Sequence, residues 1–368
     1  MAHKLTFYPI GNADTTLIKL ENDQSILIDY AHMLCEDDPN DKRINLPEVL
    51  NKAEEGDFDI VCFTHADNDH ICRFSEYFYL EHAALYQSGE RKKIKELWVP
   101  ANVLVETNVD GDARILRAEA RYRLKNKKGI RVFSRPKKLK DWCDAQEDIC
   151  YDDICHLIVD AGTLVPGFSL FANGVEFFAH SPFASDSQKI DRNNESIVVQ
   201  ATFNDACQTK LLLGSDVDND AWSDIVKITK HYHNEVRLLW DFFHVSHHSS
   251  YKAIGPEKGT NETVPNAEVK WLIEQQGNGR ARIISPSCEI TNVDTLQPPH
   301  FQAANYYKRI TKSKNGAYFV TMEHPSKANP DELTFEIDAV RCASLQIKEE
   351  PNAAFAYTSK PPRAGNNG

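Results

Sequence analysis

The segment Thr64-His65-Ala66-Asp67-Asn68-Asp69-His70 places two imidazoles and two carboxylates within six positions. These are the side chains that hold divalent metal ions. In extended backbone, positions i and i+2 point to the same side, so His65 and Asp67 can reach one ion. Asp69 and His70, where the chain is expected to turn into a helix, can reach a second. A lone histidine more often serves structure, but four potential ligands this close together point to a metal site. Two divalent ions about 3.5–4 Å apart can share a hydroxide at neutral pH and clamp a phosphoryl or carbonyl oxygen as charge builds on it.

Such groups need strand ends to position them. Asp59–Thr64 reads as a buried strand running into the cluster, and Asp69–His82 as a helix leaving it. Upstream, Leu5–Pro9, Thr16–Leu20 and Ser25–Asp29 read as strands, with Gly11-Asn12-Ala13-Asp14 as the first turn. Leu46–Ala53 is predicted helical and Ile94–Val99 a strand. In the second half, Gly174–Ala179, Ser196–Phe203, Lys210–Leu213, Arg237–Val245, Arg282–Ser285, Tyr318–Thr321 and Leu333–Ala339 read as strands. Ala221–Thr229, Lys270–Gln275 and Phe301–Ile310 read as helices. Two strand-rich halves with helices outside them predict an α+β fold, sheet packed on sheet in an αββα sandwich.

Several further segments accompany the cluster in order: Ile26-Leu27-Ile28-Asp29, Asn193-Asn194-Glu195-Ser196-Ile197-Val198, Leu211-Leu212-Leu213-Gly214-Ser215-Asp216 and Val245-Ser246-His247-His248-Ser249-Ser250. Together with Gly11–Asp14, this set resembles the metallo-β-lactamase superfamily, and within it the metallo-β-lactamase domain of ComEC/Rec2 competence proteins. The departures are Ala13 for a second glycine, Ser215 as an extra residue and Ser249 for glycine. Asp67 stands where the superfamily more commonly has histidine.

The resemblance implies roles. His65 and Asp67 would hold one metal with a third ligand after the Gly174–Ala179 strand, for which His180 is the candidate. Asp69, His70 and His247 would hold the second metal, and Asp216 would bridge the two. His248 is the alternative to His247, or acts on the phosphate. Asp29 would orient His65 or His70. Asp69, Asp216 and His248 form the implied catalytic set with His300, which could protonate a leaving oxygen or contact a phosphate. Carboxylate at position 67 makes the site harder, favouring Mn²⁺ or Mg²⁺ without excluding Zn²⁺.

Composition narrows the rest. The 368 residues are 41% hydrophobic and 26% charged, enough for a full core. With a mean hydropathy of −0.49, the chain has no apolar run fit to span a membrane. The N-terminal residues lack a signal-peptide pattern, so the expected compartment is the cytoplasm. Nine scattered cysteines are expected to be reduced thiols, including Cys143, Cys150 and Cys155 beside His156. Residues 1–345 are expected to form the catalytic domain, with a basic helical or loop insertion at about 105–165 and a disordered tail at 346–368.

The net charge of −12 argues against a general nucleic-acid binder, yet Arg114–Lys140 holds twelve Lys/Arg and one acid, Glu119. That stretch could track phosphates or be a solvated helix and loop. The leading expectation is a two-metal phosphodiesterase or nuclease acting on DNA or RNA through the basic segment. A hydrolase of a small phosphodiester, cyclic nucleotide or lactone is the second expectation, and a non-catalytic metal-binding partner protein the third.

Overall fold

In the computed structural model, residues 2–185, 189–338 and 342–346 are described. The first half supplies β1 (His3–Phe7), β2 (Thr16–Lys19), β3 (Ser25–Ile28), β4 (Phe58–Cys62), β5 (Ile94–Pro100), β6 (Ile130–Phe133) and β7 (Ile158–Val159). The second supplies β8 (Val175–Ser181), β9 (Val198–Phe203), β10 (Lys210–Leu213), β11 (Trp240–His244), β12 (Gly277–Ser285) and β13 (Ala317–Val320). The chain then returns with β14 (Leu333–Asp338) and β15 (Cys342–Gln346). Among the described residues these make two sheets, ordered β15-β14-β1-β2-β3-β4-β5-β6-β7 and β13-β12-β11-β10-β9-β8.

Period-2 alternation explains the layering. Ile26 and Ile28 face the second sheet while Leu27 faces outward; Ile60 and Cys62 face inward while Val61 faces outward. On the other sheet Leu211 and Leu213 face inward and Leu212 outward. The inner faces share one core with Phe7, Trp98, Phe177, Phe242 and Phe335. Leu46 and Leu50 of helix Leu46–Ala53, with Leu116, Ala120 and Leu124 of helix Gly111–Lys125, cover the outer face of the first sheet. Trp222 and Ile225 of helix Asn219–His231, with Tyr306 and Ile310 of helix Phe301–Ser313, cover that of the second. The αββα sandwich expected from the sequence is the architecture observed.

Three local readings change. The expected helix Asp69–His82 is two short helices, Asn68–Ile71 and Phe74–Tyr77, broken where Arg73 adopts φ 59°. The backbone N–H groups of Tyr30 and His32 take the carbonyls of His70 and Cys72, which a continuing helix would need. The basic segment is more than helix and loop, because β6 and β7 extend the first sheet in parallel from β5. Cys207 is disulfide-bonded, against the expectation of thiols throughout. Cys143, Cys150, Cys155 and His156 are not among the side-chain groups that converge as metal donors. The tail beyond Gln346 lies outside the described residues.

No helix among the described residues is long and apolar enough to cross a membrane.

Candidate metal centre

The cluster lies where both sheets deliver strand ends. β4 ends at Cys62, and the following turn is held by Asp29, whose carboxylate accepts from the Thr64 N–H and hydroxyl, both at 2.7 Å. Asp29 takes φ 57°, a conformation that a short polar side chain tolerates. Its Oδ2 also lies 2.8 Å from Nδ1 of His70, which fixes that ring and leaves Nε2 to face the cluster. Asp29 therefore orients His70, one of the two histidines expected for it. From the second sheet, Ser215 donates to the Thr64 hydroxyl at 2.8 Å. The residue that lengthens the Leu-Leu-Leu-Gly-Ser-Asp segment thus ties the two sheets together beside Asp216.

Asp216 sits at the centre. Its Oδ1 is 3.2 Å from His70 Nε2, and its Oδ2 is 3.9 Å from His65 Nε2 and 3.7 Å from His247 Nδ1. Asp67 presents Oδ2 to His65 Nε2 at 3.7 Å. Asp69 Oδ2 lies 3.0 Å from His248 Nε2, and Nδ1 of His248 meets the Pro286 carbonyl at 2.9 Å. The turn carrying the second histidine pair is strained, with φ of 52°, 51° and 62° at His247, His248 and Ser249. Each non-glycine residue held there costs about 1 kcal/mol or more. Ser249 stands where the resemblance expects glycine, and its conformation is one that glycine favours. Its hydroxyl offsets the strain through bonds of 2.8 Å to Ser285 and Tyr318.

Two groups of side chains bring donor atoms within 4.8 Å of one another: Asp14, His70, Asp216 and His248; and His65, Asp69 and His70. Nε2 of His65 and His70, both oxygens of Asp14 and Oδ1 of Asp216 are buried without a hydrogen-bond partner among the described residues. Leaving such atoms orphaned costs about 1–3 kcal/mol each. Divalent cations would satisfy all of them, so this donor set fits metal ions. The second histidine of the pair, His248, joins one of the two donor groups. His247 stands at the rim with 29% of its side chain exposed. Asp67 and Asp69 are similarly open at 36% and 33%, so solvent and a ligand can reach one side of an otherwise buried cluster.

His180 is placed elsewhere. It is buried, with Nε2 on the Arg237 carbonyl at 2.9 Å and its ring against Phe178, and it belongs to neither donor group. Its Nε2 is engaged by the main chain. His300 is buried beside the strained turn; its N–H donates to the Ser249 carbonyl, its Nδ1 accepts from the Tyr251 N–H at 3.3 Å, and Nε2 has no partner among the described residues. Asn193 reaches His247 Nδ1 at 3.5 Å.

Three participants were not singled out from the sequence. Asp14 is noted there only as part of a turn, although its oxygens face His70 at 3.5 Å and His244 at 3.2 Å. His244 ends β11 one strand away in space. Arg192 bonds Asp67 at 2.7 Å. No local spacing signals these, since their partners are distant in the chain.

Charge governs the cluster's protonation. Burial opposes charge on His70, but the Asp216 and Asp29 carboxylates outweigh it and push the imidazole well above its usual range. His248 rises to about 9, because the Asp216 charge and the Asp69 hydrogen bond outweigh burial. Burial and neighbouring His70 hold His65 down. Burial opposes the Asp216 carboxylate too, yet His70 and His248 keep it well below its ordinary value.

No protein-family model matches the chain, and no curated protein matches it. Among solved structures, it is similar to the metallo-β-lactamase fold protein YhfI from Bacillus subtilis, at 11% identity and a TM-score of 0.42, covering 87% of this chain and 97% of that one. It is also similar to unliganded yeast PDE1, at 8% identity and a TM-score of 0.43, covering 87% and 96%.

Proposed function

We propose that this protein is a metal-dependent hydrolase of the metallo-β-lactamase superfamily that cleaves phosphodiesters at a two-metal centre. The observation that carries the reading is the convergence of orphaned buried donors from Asp14, His65, His70 and Asp216 at one open-sided cluster. Asp67, Asp69 and His248 complete the residues that would hold the ions. Bound divalent ions would supply Lewis acidity and make water nucleophilic near neutral pH. A donor set rich in carboxylates favours hard ions such as Mn²⁺ or Mg²⁺, which suit phosphoryl oxygens.

The chain's own groups divide the remaining work. Asp29 and Thr64 hold the His70 ring in one orientation. His247 and Asn193 at the rim can donate to the non-bridging oxygens of a phosphate. With Nδ1 of His248 engaged by the Pro286 carbonyl, its Nε2 is the atom that would donate to an ion, and His300 lies beside that turn.

Whether the phosphodiester is nucleic acid, as in the ComEC-type reading, turns on the basic segment. Lys125, Lys127, Arg131, Arg135, Lys137 and Lys140 pair with Asp148, Asp153, Glu96, Asp160, Asp141 and Asp144. Arg117 and Arg121 donate to the carbonyls of Glu106 and Leu104, and Arg123 is buried against Glu119. Cations paired this way offer phosphates less attraction than their count suggests. The pairing favours a phosphodiester recognised at the cluster itself, with DNA or RNA the second reading.

Protein loaded with Mn²⁺, Mg²⁺ or Zn²⁺ should be incubated with DNA, RNA and small phosphodiesters. Cleavage lost in Asp69→Asn is the expected result, and no cleavage of any of them with both ions bound would sink the proposal. Replacing Lys125, Lys127, Lys137 and Lys140 by Gln should leave cleavage of the small ester intact; loss on nucleic acid alone would favour the second reading.

A further inference from the structure

We infer that Arg192 is a positioning residue that makes Asp67 serve as a one-oxygen metal ligand, an inference that rests on the metal-centre reading above. Asp67 occupies a position where histidine is the commoner ligand type, and the two side chains differ in a way that matters. Imidazole offers a single lone pair in the ring plane. A carboxylate offers two equivalent oxygens and turns about its last bond, so it can chelate one ion, bridge two, or swing out to solvent at the rim. Asp67 is exposed enough to do the last, with 36% of its side chain open.

The structure removes that freedom. Arg192 donates from one terminal nitrogen to Asp67 Oδ1 at 2.7 Å, and from the same nitrogen to the Ala66 carbonyl at 3.2 Å. The guanidinium cannot wander, because its Nε is held by both oxygens of Glu106 at 3.0 and 2.9 Å. Glu106 caps the helix Ala101–Val105 that follows β5, and its own carbonyl accepts from Arg117 at 2.7 Å. A chain of contacts therefore runs from the first-sheet wall through Glu106 and Arg192 to Oδ1. Only Oδ2 is left to face His65 Nε2. The planar fork of arginine suits this task, since separate N–H groups serve two carboxylates at fixed angles, which an ammonium cannot reproduce.

Sign separates positioning from charge. Removing a cation beside a cation-binding site should by Coulomb's law alone tighten metal binding. Removing a group that orients a ligand should weaken it, by roughly 10- to 100-fold for a partner of a metal ligand.

The test is titration of the metal-free full chain with Co²⁺ and Mn²⁺, following stoichiometry and the visible Co²⁺ spectrum, in wild type, Arg192→Gln, Arg192→Lys and Glu106→Gln. Weakening of one of the two ions by roughly 10- to 100-fold in Arg192→Gln, with an altered Co²⁺ band, is expected. Arg192→Lys should fall between, and Glu106→Gln should weaken the same ion. Unchanged or tightened binding in Arg192→Gln overturns the inference. If that variant does not fold, wild-type affinity in Glu106→Gln overturns it instead. A wild type that takes up two ions while Arg192→Gln matches it defeats this inference alone, whereas a wild type that takes up none defeats the metal-centre reading and this one together.

Discussion

Asp14 and His244 meet across the two sheets, with Nε2 of the histidine 3.2 Å from Oδ1 of the aspartate. Asp14 follows β1 of the first sheet and His244 ends β11 of the second, while the other oxygen of Asp14 faces His70 Nε2 at 3.5 Å. His244 is in turn stacked on Phe7 at 5.7 Å between ring centroids. A carboxylate buried this deeply, with neither oxygen hydrogen-bonded among the described residues, is sustained by nearby imidazoles and by any cation bound there.

Asp14→Asn should therefore lower divalent-metal affinity by at least tenfold and reduce metal content, because an amide is a weaker donor than a carboxylate. Elemental analysis after equilibrium dialysis measures this directly. Full metal content at wild-type affinity would show that Asp14 only supports the fold.

His180 should behave as a structural residue. Burial pulls its pKa down to about 4 from an ordinary 6.5. The unfolded chain then binds more protons between those values, so this residue's contribution is complete above pH 6.5 and lost as pH falls toward 4. The difference amounts to about 3 kcal/mol. In the metal-free protein, His180→Gln should flatten that part of the stability profile, measured by urea unfolding at pH 4 and 7. The variant should still bind metal like wild type; loss of an ion would return His180 to the ligand set.

Metal binding should strengthen as pH rises. His248, raised to about 9, and His70, raised well above its usual range, must each lose a proton to donate a lone pair. The same raised pKa values mean that their ion pairs stabilise the metal-free fold fully below about pH 6.5, and less as pH climbs toward 9. Chelator competition between pH 6.5 and 9 should show affinity climbing by about one to two decades per pH unit. A flat profile would mean that neither imidazolium is displaced.

Gly214→Ala should destabilise the protein by about 1–3 kcal/mol. A methyl group there would stand 2.5 Å from Ser246 Oγ and 3.0 Å from both the His244 carbonyl and Trp222. Ser246 cannot easily yield, since it accepts from the Trp222 indole and donates to the Gly214 carbonyl. Because Gly214 leads directly into Ser215 and Asp216, metal affinity should fall too. Denaturant unfolding with a shift under about 0.5 kcal/mol would refute the crowding argument.

The sequence by itself determined the parts that depend on neighbouring residues. Period-2 runs such as Ile26–Ile28 and Leu211–Leu213 set the strands and their inward faces, because alternation follows from backbone geometry alone. The density of potential ligands from His65 to His70 marked the candidate site, and the family resemblance of the segments around Asp29, Asp216 and His247 pointed to its other strand ends. Tertiary structure decided what depends on residues meeting across the sandwich. It placed Asp14 and His244 against one another, gave Asp67 the partner Arg192, and put His180 on the Arg237 carbonyl, away from the donor groups. It ended the helix after His70 by giving that residue's carbonyl to Tyr30, and it matched the basic segment with acids carried partly on other elements. Spacing along the chain carries no information about such pairings, because each is fixed only when two sheets pack and bury both partners together.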